Sequence, residues 1–336
     1  MTSDTKFDLV AIGNALVDVL SHATDEFLST EEKIHGMKRG SMTLISERRA
    51  VELYAAMGPG VESSGGSAGN TMAGFASFGG RGAYIGKVAR DQLGEVFRHD
   101  LRSQAVNFTT TPLVVGAPTG RCLILVSADG QRTMNTFLGA AGELGPDDIE
   151  AEVVAAAAIT YLEGYLFDPP LAKEAFRTAA MIAHDANRKV ALSLSDPFCV
   201  DRHRDDFRDL ADRHVDILFA NEAEIMALTH AKNFDAAVKQ IRGRCEITVL
   251  TRGEKGSVIL TKDRVLEVPA ERVAKVVDTT GAGDQYAAGF LFGHTQGLTP
   301  EMCGKLGSLA AAEVIGHMGP RPEIKYSSLL KKAAAA

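Results

Sequence analysis

No two of the four cysteines, Cys122, Cys199, Cys245 and Cys303, stand close enough to form a CxxC pair. That spacing gives no sign of a zinc site or a disulfide frame and predicts buried thiols in a reducing compartment. A basic excess is lacking as well. The chain has 36 Lys and Arg against 43 Asp and Glu, a formal charge of −7. Nothing is spare to neutralise a phosphate backbone, which argues against nucleic acid as a partner. No apolar run is long enough to span a bilayer. The opening residues, Met1 to Asp8, are polar and lead toward a strand without an apolar signal segment. Internal repeats and low-complexity stretches are missing too. The expectation is a cytoplasmic protein that acts on a small molecule, with no membrane partner. At 336 residues it has room for one large domain and a smaller appendage.

Two common nucleotide motifs are also missing. Gly86-Lys87-Val88 lacks the upstream glycine and the Ser/Thr of a Walker A loop. The first strand runs into Gly13-Asn14-Ala15, which fails the dinucleotide fingerprint, and Tyr286 stands where GAGDQY would need a third glycine. A nicotinamide dehydrogenase is therefore disfavoured. Gly65-Gly66-Ser67-Ala68-Gly69 matches the GxSxG elbow of serine hydrolases in form. Such an elbow needs an apolar strand before it, and Val61-Glu62-Ser63-Ser64 is a poor one. His294 and His317 follow downstream with nothing tying them to Ser67.

What is present is an alternation. Phe7–Ile12, Ala83–Ile85, Ile159–Leu162, Val190–Leu194, Ile217–Ala220 and Ile247–Leu250 are short β-rich runs. Helical patterns such as Leu171–Ala186 and Phe234–Arg242 fill intervals between them. Strands alternating with helices predict an α/β fold on a parallel sheet, with ligands at the strands' carboxyl ends. Val17–Ala23 and Ser41–Ile45 break the pattern, as do Thr109–Val115, Gly120–Ser127 and Thr133–Leu138 around Gly116-Ala117-Pro118 and Asp129-Gly130. These predict a small separate sheet, placed to act as a lid. The expected division is 1–14, 47–107 and 138–330 for the large domain and 15–46 with 108–137 for the lid. Residues 331–336 form a Lys- and Ala-rich tail.

The densest signal is Asp278-Thr279-Thr280-Gly281-Ala282-Gly283-Asp284 before the apolar run Gln285–Phe292. A glycine loop entering a helix offers unpaired amides and positive potential to an anion. Asp284 in that place suits a proton acceptor, while Gly281, Ala282 and Gly283 hold the oxygens of a group in transfer. That is the logic of phosphoryl transfer to a hydroxyl. A tight turn with an acidic first helical turn is the plainer alternative.

Other residues carry similar pairs of readings. Gly65 to Asn70 is either a flexible loop or a second amide-lined helix start, with Asn70 hydrogen-bonding a polyhydroxy ligand. Asn14 and Asp18 form either an Asx turn and a solvated carboxylate or a seat for a vicinal diol. Asn221 and Glu224 either cap a helix or organise Mg²⁺ and its waters near nucleotide phosphates. Thr251 to Gly256, with Gly253, makes either a hairpin turn or a wall of the nucleotide pocket. Arg121 and Arg132 are surface charges or phosphate contacts.

Taken together these residues resemble the PfkB (ribokinase-like) family of carbohydrate and nucleoside kinases over nearly the whole chain. The resemblance rests on the Asp278–Asp284 signature running on to Ala288-Gly289-Phe290, the Gly65–Asn70 cluster and the Asn221–Glu224 pair, in the expected order. It implies a three-layer α/β/α domain with a mostly parallel sheet and a small β lid. It implies ATP and Mg²⁺, with K⁺ in many members. Asp284 would be the catalytic base, and Gly281 to Gly283 the anion hole. Asp18, Gly66 and Asn70 would hold sugar hydroxyls, with Asn14 beside them. Asn221, Thr251, Gly253 and Gly256 would meet ATP, Glu224 would serve Mg²⁺, and Asp278 and Thr280 would border a monovalent cation, opposite Val314–Gly319. Within the family, Gly13-Asn14-Ala15-Leu16-Val17-Asp18-Val19 and Gly65-Gly66-Ser67 with Asn70 are most similar to adenosine kinases. Leu16, Met42 and Phe137 would then line a slot for a base. The alternative acceptors are free sugars: ribose, fructose or 2-keto-3-deoxygluconate. A non-catalytic ligand sensor on the same fold is the more distant reading. The assembly is a monomer or a lid-paired homodimer. Two departures stand out. Met72 replaces a small residue behind the sugar site, and Ala89-Arg90 replaces Gly-Asp, which puts a helix-cap role there in doubt.

Overall fold

The computed structural model describes residues 5–334. The first residues of the polar opening and the last two of the tail lie outside that range. In chain order the first strands are β1 (Phe7–Ile12), β2 (Leu16–His22), β3 (Met42–Leu44), β4 (Val61–Ser64), β5 (Gly82–Ile85), β6 (Asn107–Phe108) and β7 (Thr119–Val126). They are followed by β8 (Arg132–Gly139), β9 (Ala157–Glu163), β10 (Lys189–Ser193), β11 (Ile217–Asn221), β12 (Ile247–Thr251), β13 (Ser257–Thr261) and β14 (Val265–Val268).

Nine of them form one sheet in the order β14-β13-β12-β11-β10-β9-β1-β5-β6. The pairs from β12 through β6 are parallel, and β13 and β14 close the edge antiparallel. Both faces are covered. Val10 and Ile12 of β1 point into the core under helices Pro170–Asp185 and Arg204–Arg213. Leu9 and Ala11, one residue out of phase, enter the core under helices Ser67–Ser77, Ala282–Thr295 and Pro300–Val314. The period of two along a strand produces that partition. A strand buried on both faces reads as a continuous apolar run, which is why these strands were legible. Sequence order reverses beside β1, whose neighbours are β5 and β9, so the carboxyl ends of β1 and β9 flank a crevice.

The other five strands form the small sheet, β3-β8-β7-β2-β4. Helices Asp25–His35 and Glu47–Ala56 cover its outer face, where Val19, Leu123 and Leu125 pack on Leu28 and Leu53. Leu20, Cys122, Ile124 and Val126 face the opposite way and meet Met134 and Met318.

Three expectations need correction. Val61–Ser64, read as a poor strand, is β4 and pairs antiparallel with β2. Its residues are mostly exposed, so the edge position supplies backbone pairing without an apolar pattern. Together with the helix Glu47–Ala56 it puts part of the 47–107 segment on the small sheet rather than in the large domain. Thr109–Val115 is no strand of the small sheet. Asn107–Phe108 joins the large sheet beside β5, and the following loop is tied back by hydrogen bonds from Thr109 and Thr110 to Glu150 and by a bridge from Leu113 to Ala89.

Gly86-Lys87-Val88-Ala89-Arg90-Asp91 keeps a helix cap despite its departure. Asp91 caps Gln92–Ser103 by accepting from the Gly94 amide at 2.8 Å, and it also takes the Thr119 amide at 2.7 Å. That tie fixes the start of β7 to the large domain. Met72 is buried against Gly82, away from the crevice, so its bulk is absorbed by a missing side chain.

Candidate active site

Two cavities open at the carboxyl ends of the parallel strands. One, of about 350 Å³, lies between the large sheet and the small sheet. The other, of about 510 Å³, lies between the β12–β13 turn and the helix Pro300–Val314. They share Thr251, Thr279, Ala282, Gly283 and Tyr286, so they meet at the glycine loop.

The loop geometry follows from its sequence. Gly281 has φ +76, and a Cβ there would stand 2.6 Å from the Pro320 carbonyl oxygen. The backbone turns through the left-handed region and the chain enters Ala282–Thr295 immediately. Helix geometry leaves the Gly283 and Asp284 amides without intrahelical acceptors. The Ala282 amide reaches back to the Thr279 carbonyl at 3.4 Å. A Cβ on Gly283 would meet nothing within 4 Å, so this residue faces open space between the cavities.

Asp284 is held from one side by the helix Ser67–Ser77. Ser67 Oγ donates to its Oδ1 at 2.6 Å, and Asn70 Nδ2 donates to its Oδ2 at 3.2 Å. Burial raises the Asp284 carboxyl above the ordinary carboxylate range, and these two hydrogen bonds pull it back. A carboxylate so placed is a better proton acceptor than an exposed one. Ser67 is thereby committed to Asp284. Among the described residues no histidine lines this cavity, and His317 lies beside Glu313 and Glu323 instead. The GxSxG elbow is not assembled.

Across the cavity, Asp18 lies against Gly65, where any Cβ would overlap its carboxyl group. Burial pushes the Asp18 carboxyl up to about 7. Asn14 is fixed by Glu163, whose Oε1 accepts from Asn14 Nδ2 at 2.8 Å and whose Oε2 accepts from the Ala68 amide at 2.8 Å. Gly66, at φ +75, caps the helix Ser67–Ser77 next to the Asn14 carbonyl. Glu163 thus ties the end of β9 to the end of β1 and to a helix start. Burial raises its carboxyl to about 7.

Asn221 and Glu224 form a reciprocal capping box. The Glu224 amide donates to Asn221 Oδ1 at 2.9 Å, and the Asn221 amide donates to Glu224 Oε2 at 2.9 Å. The plain structural role is therefore present. Both residues also line the first cavity, and burial raises the Glu224 carboxyl to about 7. Asp278 is fully buried. It accepts from the Thr280 amide at 2.9 Å and the Gly319 amide at 2.9 Å, with no cationic side chain among its partners.

The predicted residues sort by cavity. Asn14, Leu16, Asp18, Met42, Gly66 and Asn70 line the first. Gly253 and Gly256 line the second, and Thr251 borders both. Asn221, expected with ATP, lies in the first cavity. Phe137 is the clear correction. On β8 the cavity takes Arg132, Met134, Thr136 and Leu138, and Phe137 has the opposite parity. It pairs with Arg121, whose guanidinium stands over the Tyr54 ring. A one-residue shift along a strand changes the face. Arg132 therefore reaches the cavity and Arg121 does not.

The sequence reading missed Glu163 and Tyr165 of the first cavity and the Ala270–Val276 stretch of the second. Glu163 directly follows the predicted strand Ile159–Leu162 and ends the observed one, a position that marks ligand sites in such sheets. The others follow no motif.

Comparison with known proteins agrees with this geometry. The chain matches the pfkB family of carbohydrate kinases over residues 42–325. It is 26% identical to an adenosine kinase of Saccharomyces cerevisiae, covering 95% of this chain and 98% of that protein. An uncharacterised sugar kinase of Archaeoglobus fulgidus is 30% identical over 73% of this chain and 95% of its own. A nucleoside kinase of Methanocaldococcus jannaschii is 39% identical over a shorter stretch, 32% of this chain and 34% of that protein. Among solved structures, the adenosine kinase of Sinorhizobium meliloti superimposes with a TM-score of 0.94 at 51% identity, over 98% of this chain and 99% of that one. A probable sugar kinase of Rhizobium etli gives 0.95 at 50% identity, over 99% and 100%. The chain belongs to the pfkB family of carbohydrate kinases, phosphotransferases that move a phosphoryl group from ATP to an alcohol oxygen.

Proposed function

We propose that the acceptor is the primary hydroxyl of a nucleoside, adenosine or a close relative, and that Asp284 accepts its proton. The observation that carries this reading is the meeting of two cavities at Gly283, next to Asp284, which lines the first. The acceptor occupies the first, with its diol on Asp18 and Asn70. ATP occupies the second, along Gly253 and Gly256, with its terminal phosphate at the glycine amides. Those amides and Arg132 meet charge developing on the transferred group. The small sheet excludes water, so that the hydroxyl is the nucleophile rather than a water molecule.

A nucleoside fits better than a free sugar because one wall is apolar. Leu16, Met42, Ile124, Met134 and Leu138 face the cavity from the small sheet. A flat base suits that wall, whereas a free sugar presents hydroxyls on every side. The adenosine kinases among the similar proteins support the same choice.

Mg²⁺ fits the residues present. No group of three or more acidic, His or Cys side chains is set to cage a metal among the described residues. Glu224, fixed on the cavity wall by Asn221, belongs to no such group, which suits an ion held chiefly by phosphates and water. When bound, Mg²⁺ neutralises phosphate charge. Buried Asp278, without a cationic partner, suits a monovalent cation such as K⁺ between the Thr280 and Gly319 loops. The four buried free thiols suit the cytoplasm. The assembly is a monomer or a homodimer.

ADP release from ATP·Mg²⁺, with and without K⁺, tests the acceptor across adenosine, inosine, guanosine, cytidine, ribose, fructose and 2-keto-3-deoxygluconate. Saturable turnover on a nucleoside at low concentration is expected. Turnover on free sugars alone would keep Asp284 in its role and overturn the nucleoside reading.

A further inference from the structure

Arg321, in the loop after the helix Pro300–Val314, has no part in the transfer chemistry described above. Its guanidinium lies against the first turn of the helix Ser67–Ser77. Nε donates to Asn70 Oδ1 at 3.4 Å. Nη2 lies 3.6 Å from the place a Cβ on Gly69 would take, and it is buried without a hydrogen-bond partner. The Tyr84 hydroxyl is likewise buried and unpartnered. Burying a guanidinium is costly unless negative charge faces it. Asp18 and Asp100 are the carboxylates whose charge acts on it through space. Asp100 is already engaged, accepting from Ser64 Oγ at 2.5 Å. Asp18 opens on the acceptor cavity.

We propose that Arg321 is a positioning residue of the acceptor site. Its guanidinium is the counter-charge that draws Asp18 toward the acceptor-only carboxylate form, and it fixes Asn70 with the amide nitrogen toward Asp284. The inference rests on the reading of Asp18 as the seat of the acceptor's diol.

The geometry gives each half of the role. A carboxamide has one accepting end and one donating end. Arg321 occupies the Asn70 oxygen, so Nδ2 is left to donate to Asp284 Oδ2 at 3.2 Å. Asp18 must be ionised to accept two hydroxyl hydrogen bonds, since a protonated carboxyl spends one oxygen as a donor. Burial opposes ionisation, and so does Asp284 from the helix Ala282–Thr295. Arg321, Arg132 of β8 and the Gly66 amide favour it, Arg321 most strongly. The remaining neighbour, Cys122 of β7, is itself pushed up by burial and stays a neutral thiol. Tyr84, facing Arg321 and Glu163, is also pushed up and stays neutral. Arg321 therefore tilts Asp18 toward the form that binds a diol.

The test is a carbon-13 NMR titration of ligand-free protein carrying labelled aspartate. The Asp18 signal is identified by its loss in Asp18→Asn. In Arg321→Met its midpoint should rise by about one pH unit or more. In Arg321→Lys, which keeps the charge, it should move much less. In parallel, Arg321→Met should raise the acceptor KM on the order of tenfold at neutral pH, with recovery at higher pH and no change in the ATP KM. An unmoved Asp18 midpoint in Arg321→Met overturns the inference, and so does an equal rise in both KM values. Arg321→Lys also controls for stability, because a general loss of packing would affect it without moving the midpoint. Failure of the wild type to phosphorylate any nucleoside removes the nucleoside reading alone, because the titration needs no acceptor.

Discussion

Asp284 is a carboxylate in the first turn of a helix, at the positive end where an anion would be expected to bind. Two donors, Ser67 and Asn70, define which way its oxygens point. Removing the charge and keeping the shape should therefore act on the chemical step. Asp284→Asn is expected to lower kcat by on the order of 10²- to 10⁴-fold with a modest change in either KM. Steady-state kinetics at saturating ATP checks this, and near-normal turnover would remove Asp284 from the reaction.

Residue-level legibility divided by whether a motif carried the residue. Asp284, Asn70 and Asp18 stand in short sequence patterns and lie where those patterns put them, around one cavity. Glu163 and Arg321 were not legible, because their partners are distant in the chain. Glu163 reaches Asn14 and Ala68, and Arg321 reaches Asn70. Phe137 was misplaced because a strand's apolar residues do not reveal parity without its pairing partners.

At the scale of elements, two helices begin at glycines and direct their open ends toward the site. Gly66 and Gly281 both hold positive φ, at +75 and +76. Gly283 does not, and its side-chain position is empty. The two glycines of the same loop should therefore fail differently. Gly281→Ala meets left-handed strain of about 1–2 kcal/mol and the Pro320 carbonyl, so its Tm should fall along with activity. Gly283→Ala gains helix propensity and clashes with nothing. Its Tm should hold or rise while kcat/KM falls, because the methyl group occupies the space of the transferred group. A parallel drop in Tm for both variants would show that Gly283 is structural as well.

Strands of the large sheet were legible because burial on both faces leaves an uninterrupted apolar run. β4 was not, because an edge strand in a half-exposed sheet carries little such signal: Val61 is 65% exposed. The assignment of residues 47–64 followed from that miss, since the helix before β4 goes where the strand goes. Asp91 shows the converse. The family's usual pair is altered to Ala89-Arg90, but the residue that follows supplies the cap and holds Thr119 as well.

Across the whole molecule, the site gathers acidic groups in a buried space. Asp18, Glu163 and Glu224 each titrate at about 7, against ordinary values of 3.8, 4.5 and 4.5. All three are raised in the folded chain, so the native state binds more protons than the unfolded state between those limits. Stability of the ligand-free protein should therefore fall as pH rises through that window. His214 and His294 are lowered by burial and oppose this, with smaller shifts. Carboxylates held below their ordinary range, such as Asp206 and Asp91, act only at lower pH. Thermal unfolding at about pH 5.5 and about pH 8 measures the balance. A higher Tm at the lower pH is expected, and the reverse order would mean that these carboxylates stay ionised when buried.

The two cavities meet at one glycine loop, one beneath the small sheet and the other beside the helix Pro300–Val314; the proposed reading divides them as acceptor and donor sites. That division was legible only as far as a lid and a nucleotide wall. The shared lining at Thr251, Thr279 and Gly283 depends on how distant segments fold together. The central claim is transfer to a primary hydroxyl beside Asp284. Comparing ADP release with adenosine and with 5′-deoxyadenosine, which lacks only that hydroxyl, tests it most directly. The account predicts saturable turnover with the first and none above background with the second, which should instead inhibit competitively. Equal ADP release with both would contradict it, because the phosphoryl group would then be going to water or to another oxygen.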